Sequence, residues 1–290
     1  MFQKVFKQTQ LILVMNLKSI LFGDNWKFTV NMFVTKFGSL INTEGVNLNI
    51  LTPKQTIAYL KKTNKSLLRW GDADTRICYK GKIYYQDYRE ELRDKYLDML
   101  KNYSEKSPFL LAIPSKINLS NKELGPEIRY WFMTKQLFDK YGKKEVPYGD
   151  SLLFYSREIG IEDMQELWHN SKGIILIHFN RAVYEYFQTK YPDKKLFYIK
   201  VPEKNSFDYL NAYDVQIKDF ISANNFKSTD VKIIISAGML ARILGYKLSN
   251  EGYTVYDTGV LLGNTENEKN QILTKAKQLN KKIEVFNTPK

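Results

Sequence analysis

The sequence predicts an α/β fold, namely a Rossmann-like, doubly wound and mostly parallel sheet that is flanked by helices. Short apolar runs recur along the chain, and each is followed by a helix-like segment. The runs at residues 174–177 and 233–235 show no polar alternation. Strands of this kind are buried on both faces, as in parallel sheets covered by helices. Ligands of such folds bind beyond the carboxyl ends of the strands, so the residues after each run are the first candidates for a site.

The secondary-structure signals begin near residue 52. Thr52 predicts the N-cap of a first helix with Pro53 at its first position, and this helix should end near Asn64. A second helix is predicted over residues 88–102, because large apolar side chains recur on one of its faces. The predicted strands are residues 67–70, 109–113, 151–155, 174–178, 196–201, 231–235 and 254–256.

The beginning of the chain differs from the rest. Residues 1–45 show no strand–helix rhythm and are predicted to form a helical, interfacial extension, whereas residues 46–290 form the main domain. The apolar run at residues 11–15 is interrupted by Asn16 and Lys18, so it is too short to span a bilayer. No small-residue cleavage site follows it cleanly. We therefore expect a cytoplasmic protein that contacts the inner face of the membrane.

Composition limits the chemistry. The formal charge is 44 minus 31, or +13, which fits a nucleic acid, an anionic membrane or an anionic substrate such as a nucleotide diphosphate. The lysines are scattered, so the charge also fits the composition of an AT-rich genome. A single cysteine, Cys78, excludes an internal disulfide and a cysteine-based zinc cluster, and it fits a buried thiol better than a nucleophile. With only His169 and His178 available, a metal would be held mainly by oxygen, which favours Mn²⁺ or Mg²⁺.

The first candidate motif, residues 69–74, reads RWGDAD and follows a short strand. Asp72 and Asp74 are spaced so that both carboxylates could reach one divalent cation, which would neutralise charge on a departing diphosphate. Gly71 would allow close approach of the backbone, and Arg69 offers a second cation for a phosphate. Such aspartate pairs are also common in solvated turns, so the motif alone leaves both interpretations open.

Two further candidates lie near the end of the chain. Gly238 stands where a strand runs into a helix, and the amino end of that helix would suit a phosphate; a simple tight turn is the alternative. Asp257 follows the next strand and would contact a ribose or an acceptor hydroxyl.

Other strand ends carry polar residues, and the sequence allows two interpretations of each. Arg157 is either a phosphate contact or a surface ion-pair partner. Lys204 and Asn205 lie in a loop that either reads sugar hydroxyls or forms a turn with an Asn cap. His178 closes a buried strand, where it is either a core histidine or a base.

In this order, these segments resemble the GT-D-type glycosyltransferases, a bacterial family first known as a domain of unknown function. Residues 69–74 are similar to the family's arginine–aromatic–glycine–aspartate–glycine–glutamate signature. Residues 154–157 (FYSR) resemble its Phe-x-Ser-Arg, and residues 202–207 (PEKNSF) resemble its Pro-x-Lys-Asn-Ala-Phe. Residues 238–259 resemble its closing strand–helix–strand block. The resemblance spans about residues 50–260.

The resemblance implies a metal-dependent hexosyltransferase. Family members transfer a hexose from a UDP-sugar to glycans, including those of glycosylated surface adhesins, and use a divalent metal at an aspartate-x-glutamate motif. Carried over, Asp72 and Asp74 would be catalytic metal–diphosphate residues. The donor site would include the residues that match the family's motifs or flank them: Arg69, Gly71, Arg157, Lys204, Asn205 and Gly238.

The chain departs from the family pattern at three places. Asp74 replaces a glutamate, residues 178–181 replace an acidic glycine-rich stretch, and Val260 replaces a histidine. Asp257 and His178 are then the groups available as a catalytic base. The expected partners are a UDP-sugar donor and a glycan or glycoprotein acceptor.

Two other function classes stay open at this point. A nucleotidyl- or phosphotransferase could use the same carboxylate pair, although the sequence has no P-loop lysine motif. A basic protein that binds nucleic acid or a membrane would use the aromatic residues for stacking, but these fall at core-like spacings and no recognition module is present. We therefore expect no specific nucleic-acid partner.

Overall fold

The computed structural model describes residues 44–151, 153 and 161–259. The chain divides into two compact units. Among the described residues, one unit holds 44–47 and Lys116–Lys140, and the other holds Leu48–Ser115 and the residues from Tyr141 onward. The predicted extension, residues 1–45, lies outside the described residues except for 44 and 45, so its division from a main domain at residue 46 stays a prediction.

The larger unit contains a parallel sheet. Its seven described strands have the order β3-β2-β1-β7-β6-β4-β5, and all of their pairings are parallel. The strands are β1 (Ser66–Arg69), β2 (Phe109–Ile113), β3 (Gly149–Asp150), β4 (Gly173–His178), β5 (Lys195–Lys200), β6 (Val231–Ser236) and β7 (Thr254–Asp257).

Helices connect these strands. They are α1 (Pro53–Thr63), α2 (Asp72–Cys78), α3 (Glu90–Asn102), α4 (Asn121–Leu124), α5 (Ile128–Tyr141), α6 (Ile161–Gln165), α7 (Arg181–Lys190), α8 (Leu210–Ala223) and α9 (Met239–Asn250). Short 3-10 turns cover Ser115–Asn118, Gly125–Glu127, Ser206–Tyr209 and Ser228–Asp230. Within the described parts of the chain, no helix combines the length and the apolar content that a bilayer span requires.

Both faces of the sheet are buried, which explains why the central strands lack alternation. Ile174 and Leu176 pack into an apolar cluster on one face, with side chains of α1 and α7. Ile175 and Ile177 pack into a second cluster with side chains of α8 and α9. A strand between two apolar layers needs apolar residues at every position. The predicted α/β sheet is therefore confirmed.

The capping signals at α1 are also confirmed. The Thr52 side chain accepts from the Gln55 backbone, and the Gln55 side chain accepts from the Thr52 backbone at 2.9 Å. Asn64 ends the helix in the left-handed conformation, with φ of 51°. This reciprocal capping satisfies two backbone donors that the first turn would leave unpaired.

Two elements differ from the prediction. Strand β3 lies at Gly149–Asp150, just before the predicted run 151–155. A Cβ at Gly149 would lie within 3.1 Å of side chains on α1 and β2. This position needs a small residue and therefore gives no apolar signal. Helix α2 begins shortly after β1, whereas the sequence shows only the end of an apolar run at this point and gives no helix signal. Residues 152 and 154–155 of the predicted strand lie outside the described residues.

Candidate functional site

The carboxyl ends of neighbouring strands β1, β7 and β6 form one edge of the sheet. β1 ends at Arg69, β7 at Asp257 and β6 at Ser236. Helix α9 starts just after β6 and brings Arg242 to the backbone of Arg69 at this edge. The polar residues predicted at β1 and β7 therefore meet around a guanidinium.

Arg242 is the centre of a buried charge network. Its side chain is only 12% exposed; Nη2 lies 3.2 Å from Oδ2 of Asp74, and Nε lies 3.3 Å from Oδ2 of Asp257. Nε also donates to the carbonyl of Arg69 at 2.5 Å, and Nη1 donates to the carbonyl of Gly238. Burial alone would lower the pKa of Arg242, but Asp257 and Asp74 raise it above its ordinary value. The guanidinium is therefore permanently charged.

Sequence reasoning does not single out Arg242, although the sequence carries a signal for it. Arg242 is the one charged residue in the apolar stretch 237–246. It lies four residues after Gly238, and one helical turn returns a side chain to the end of the preceding strand. An isolated cation at that spacing, inside an otherwise apolar helix, indicates a buried partner.

Asp74 is completely buried, at 0% exposure. Its Oδ1 accepts from the Tyr96 hydroxyl at 2.6 Å, and its Oδ2 accepts from the Gly71 backbone at 2.6 Å and from Arg242 at 3.2 Å. Burial raises the pKa of Asp74, and the guanidinium and the two other donors offset part of that rise. Asp74 therefore fixes the start of α2 and the position of Arg242.

Asp257 is equally buried. Its Oδ1 accepts from the backbone of Gly259 at 3.0 Å, and its Oδ2 accepts from the backbone of Arg69 at 3.3 Å and lies beside Arg242. These contacts favour a role in organising the ends of β1 and β7. They give no support to the predicted contact with a ribose or to action as a base, and both roles stay predictions.

The Asp72 side chain lies on the surface. Its side chain is 42% exposed and pairs with Arg76, one turn along α2, at 3.0 Å. Residues two apart in a helix lie about 200° apart around its axis, so Asp72 and Asp74 diverge. Gly71 holds the N-cap position between β1 and this helix, where its N–H is taken by Asp74.

A divalent cation does not fit between Asp72 and Asp74 in this arrangement. Mg²⁺ and Mn²⁺ need several accessible oxygens, and only Asp72 offers an exposed carboxylate. Over the ranges 44–151 and 161–259, no group of three or more His, Cys, Asp or Glu residues could hold a metal. The described residues therefore do not fit coordination of one cation by both carboxylates, and a need for Mn²⁺ or Mg²⁺ stays a prediction.

Arg69 is held at the carboxyl edge by its own side chain. Its Nε donates to the carbonyl of Ser151 at 2.8 Å. Gly259 lies directly against it: φ is +59°, and a Cβ there would be 1.8 Å from Nη1 of Arg69. The missing side chain of Gly259 therefore makes room for the guanidinium, which a sequence alone does not indicate.

A row of polar residues crosses the sheet at the same level. His178 of β4 lies opposite Lys200 of β5 and Ser236 of β6. The hydroxyls of Ser236 and Thr258 share a hydrogen bond of 2.9 Å, and the register of β1 on β7 places Arg69 next to Thr258. This row is the polar rim of the sheet beyond its carboxyl ends, where ligands of such folds bind.

His178 is buried, at 2% exposure, and stacks on the ring of Phe179 at 4.6 Å. Its Nδ1 accepts from the backbone of Asn180 at 2.8 Å, so the neutral ring carries its proton on Nε2. Nε2 has no hydrogen-bond partner among the described residues. Burial lowers the pKa of His178 to about 4. A neutral ring with a proton at its unpaired nitrogen favours donation of a hydrogen bond over the predicted action as a base.

A groove of about 580 Å³ opens at Phe179, the residue that follows His178 in the chain. Phe179 is 52% exposed there, and Arg181 and Lys200 add two positive charges. The remaining lining residues are Asn180 and Tyr198. The groove therefore combines an aromatic surface, hydrogen-bonding groups and positive charge.

The turn after β6 is covered. Gly238 has φ of +56°, and a Cβ there would lie 3.0 Å from the ring of Tyr85. The backbone of Asn205 is in the left-handed region. Its side chain accepts from the backbone of Asp87 at 2.8 Å and donates to the Asp87 carboxylate at 3.0 Å. Lys204 is exposed. Gly238 and Asn205 therefore serve close packing of loops here, and only Lys204 presents its side chain to solvent. Their predicted donor roles stay predictions.

Arg157, a predicted donor-site residue, and Val260, which replaces a histidine of the family pattern, lie outside the described residues.

Comparison with known proteins supports the fold. A family model described as "Glycosyltransferase GT-D fold" matches residues 67–285. Among solved structures, "The highly conserved domain of unknown function 1792 has a distinct glycosyltransferase fold" is 18% identical over 83% of this chain and 85% of its own, with a TM-score of 0.61. "A New Glycosyltransferase (DUF1792) from Streptococcus sanguinis" is 17% identical over 78% and 85%, with a TM-score of 0.61. Among curated proteins, no relative matches the chain.

Proposed function

Because the chain belongs to the glycosyltransferase family with the GT-D fold, we propose that it transfers a hexose from a UDP-sugar to a glycan or glycoprotein acceptor. The family resemblance predicted from the sequence motifs is thereby confirmed. The observation that carries the proposal is the position of Arg69, which stands at the carboxyl end of β1 in a space that Gly259 leaves open.

Arg69 suits the diphosphate of such a donor. When the bond between the sugar and the diphosphate breaks, negative charge grows on the departing phosphate oxygen. A fixed guanidinium stabilises that charge, and Arg69 is fixed on both sides: its backbone by Asp257 and Arg242, and its side chain by Ser151. The catalytic contribution of this end of the site is therefore electrostatic.

The groove beside β4 and β5 suits the acceptor. It lies at the ends of β4 and β5, three and four strands from β1 in the sheet order, or about 14–19 Å at ordinary strand spacing. Phe179 offers a flat apolar surface for a sugar ring, and Arg181 and Lys200 attract an anionic glycan. His178 is buried and stacks on Phe179, so it supports this surface and does not contact the sugar.

Of the two aspartates, only Asp72 has an exposed carboxylate, so a divalent cation would bind through Asp72. The cation would then keep most of its water ligands, as Mg²⁺ commonly does. No step proposed for this chain depends on it.

Product analysis tests the proposal. The purified protein is incubated with UDP-, GDP- and dTDP-hexoses, and the released nucleotides are separated by anion-exchange chromatography. We expect release of UDP from at least one UDP-hexose, and less release by Arg69→Ala. Release of pyrophosphate from nucleoside triphosphates, without any nucleoside diphosphate from the sugars, would instead identify a nucleotidyltransferase.

A further inference from the structure

The buried carboxylates Asp74 and Asp257 share one positive charge. Oδ2 of each lies within 3.3 Å of the same guanidinium, that of Arg242. Both side chains are at 0% exposure. Two buried carboxylates this close need a cation between them, because unpaired buried charge is strongly unfavourable.

Every oxygen of the pair already accepts a hydrogen bond or lies in an ion pair. In Asp74, Oδ1 accepts a hydrogen bond from Tyr96, and Oδ2 accepts from the Gly71 backbone and from Arg242. In Asp257, Oδ1 accepts from the Gly259 backbone, and Oδ2 accepts from the Arg69 backbone. A divalent cation could bind here only by displacing the guanidinium, since two cations at this separation repel each other.

Arg242 also contacts two backbone carbonyls. Its Nε and Nη1 donate to the carbonyls of Arg69 and Gly238, at the end of β1 and in the turn after β6. One side chain therefore joins both carboxylates to these two backbone positions through its several N–H groups.

We infer that Arg242 is the resident cation of the Asp74–Asp257 pair and occupies the position that a divalent metal ion would take between these carboxylates. Asp74 is then an anchor for Arg242 rather than a metal ligand. Arg242 also contacts the carbonyl of Arg69 at the end of β1. Its role as the resident cation does not rest on the proposed function.

If Arg242 is the resident cation, removal of its side chain should create a metal site. In Arg242→Ala, the two carboxylates lose their shared charge and gain open space between them. We expect this variant to bind Mn²⁺ at least tenfold more tightly than the wild type, and Mn²⁺ to raise its unfolding temperature. Arg242→Lys keeps a cation in place and should show no such gain.

Mn²⁺ is the probe, titrated without nucleotide and followed by the loss of the free-ion signal in electron paramagnetic resonance. Arg89→Ala serves as a matched control, because it removes an exposed arginine whose ion pair in the described residues is with Asp208 rather than with Asp72, Asp74 or Asp257. If Arg242→Ala does not fold alone, recovery of its circular dichroism by Mn²⁺, and no recovery by K⁺, is the expected result. Equal Mn²⁺ affinity of wild type and Arg242→Ala, or failure of Mn²⁺ to restore an unfolded Arg242→Ala, would overturn the inference. A second result would also overturn it: the wild type binds Mn²⁺, and Asp74→Asn abolishes this binding while the variant keeps the unfolding temperature of the wild type.

Discussion

Nη2 of Arg242 lies 3.2 Å from Oδ2 of Asp74, and this contact joins a helix after β6 to a helix after β1. The two residues are 168 positions apart in the chain. The two aspartates of the motif therefore have different environments: Asp74 is buried in the core, and Asp72 lies on the surface.

Substitution of the two aspartates should therefore have unequal effects on stability. Asp74→Asn removes one partner of a buried ion pair, and we expect it to lower the free energy of unfolding by about 3 kcal/mol. Asp72→Asn removes an exposed pair with Arg76 and should cost less than about 0.5 kcal/mol. Urea unfolding followed by tryptophan fluorescence measures both. Equal losses for the two variants would contradict the buried position of Asp74.

Gly259→Ala should weaken nucleotide binding through Arg69. The new methyl group would lie 1.8 Å from Nη1 of Arg69, so the guanidinium must move. Gly252→Ala is the matched control: Gly252 also has a positive φ, of +88°, but the nearest atom to its Cβ is 3.8 Å away. Each variant should lose about 1 kcal/mol of stability to backbone strain. Only Gly259→Ala should lose affinity for UDP in calorimetric titration, and equal affinities would contradict the position of Arg69 in the donor site.

His178 should make stability depend on pH. An unfolded histidine takes up a proton below about pH 6.5, whereas burial lowers the pKa of His178 to about 4 in the folded protein. Between these values the unfolded state binds more protons. Stability should therefore be full above about pH 6.5, fall as the pH falls towards 4, and change no further from this group below that.

The comparison variant is His178→Gln, which cannot titrate in this range. Over the interval from about pH 7 to about pH 4, the wild type should lose up to about 3 kcal/mol more than the variant. Urea unfolding at several pH values measures the difference. Parallel pH profiles for the two proteins would mean that His178 is not buried as a neutral ring.

The sequence was sufficient for the fold because its signals are local. The run at residues 174–177 is apolar throughout since both faces of β4 are covered, and Thr52 caps α1 through a residue three positions away. Strand β3 gave no such signal: its Gly149 is required by the closeness of β2 and α1, which only the folded chain brings about.

The site was only partly predictable. The sequence predicts that Arg69 and Asp257 lie near each other because both lie at strand ends and parallel strands end at one edge, and the structure brings them together. The burial of Asp74 could not be predicted, since an aspartate-x-aspartate motif reads the same in a turn and in the first turn of a helix. Arg242 contacts residues that are distant in sequence, so its role depends on the tertiary fold.

Transfer of a labelled hexose is the most direct measurement of the central claim. Wild type, Arg69→Ala and the exposed control Arg76→Ala are compared with UDP-[¹⁴C]hexoses and an anionic glycan acceptor. We predict label in the acceptor for the wild type and for Arg76→Ala, and a rate at least tenfold lower for Arg69→Ala, because a charge-assisted contact is worth about 1.5–3 kcal/mol. Equal transfer by Arg69→Ala, or nucleotide-sugar turnover in none of the proteins, would contradict the account.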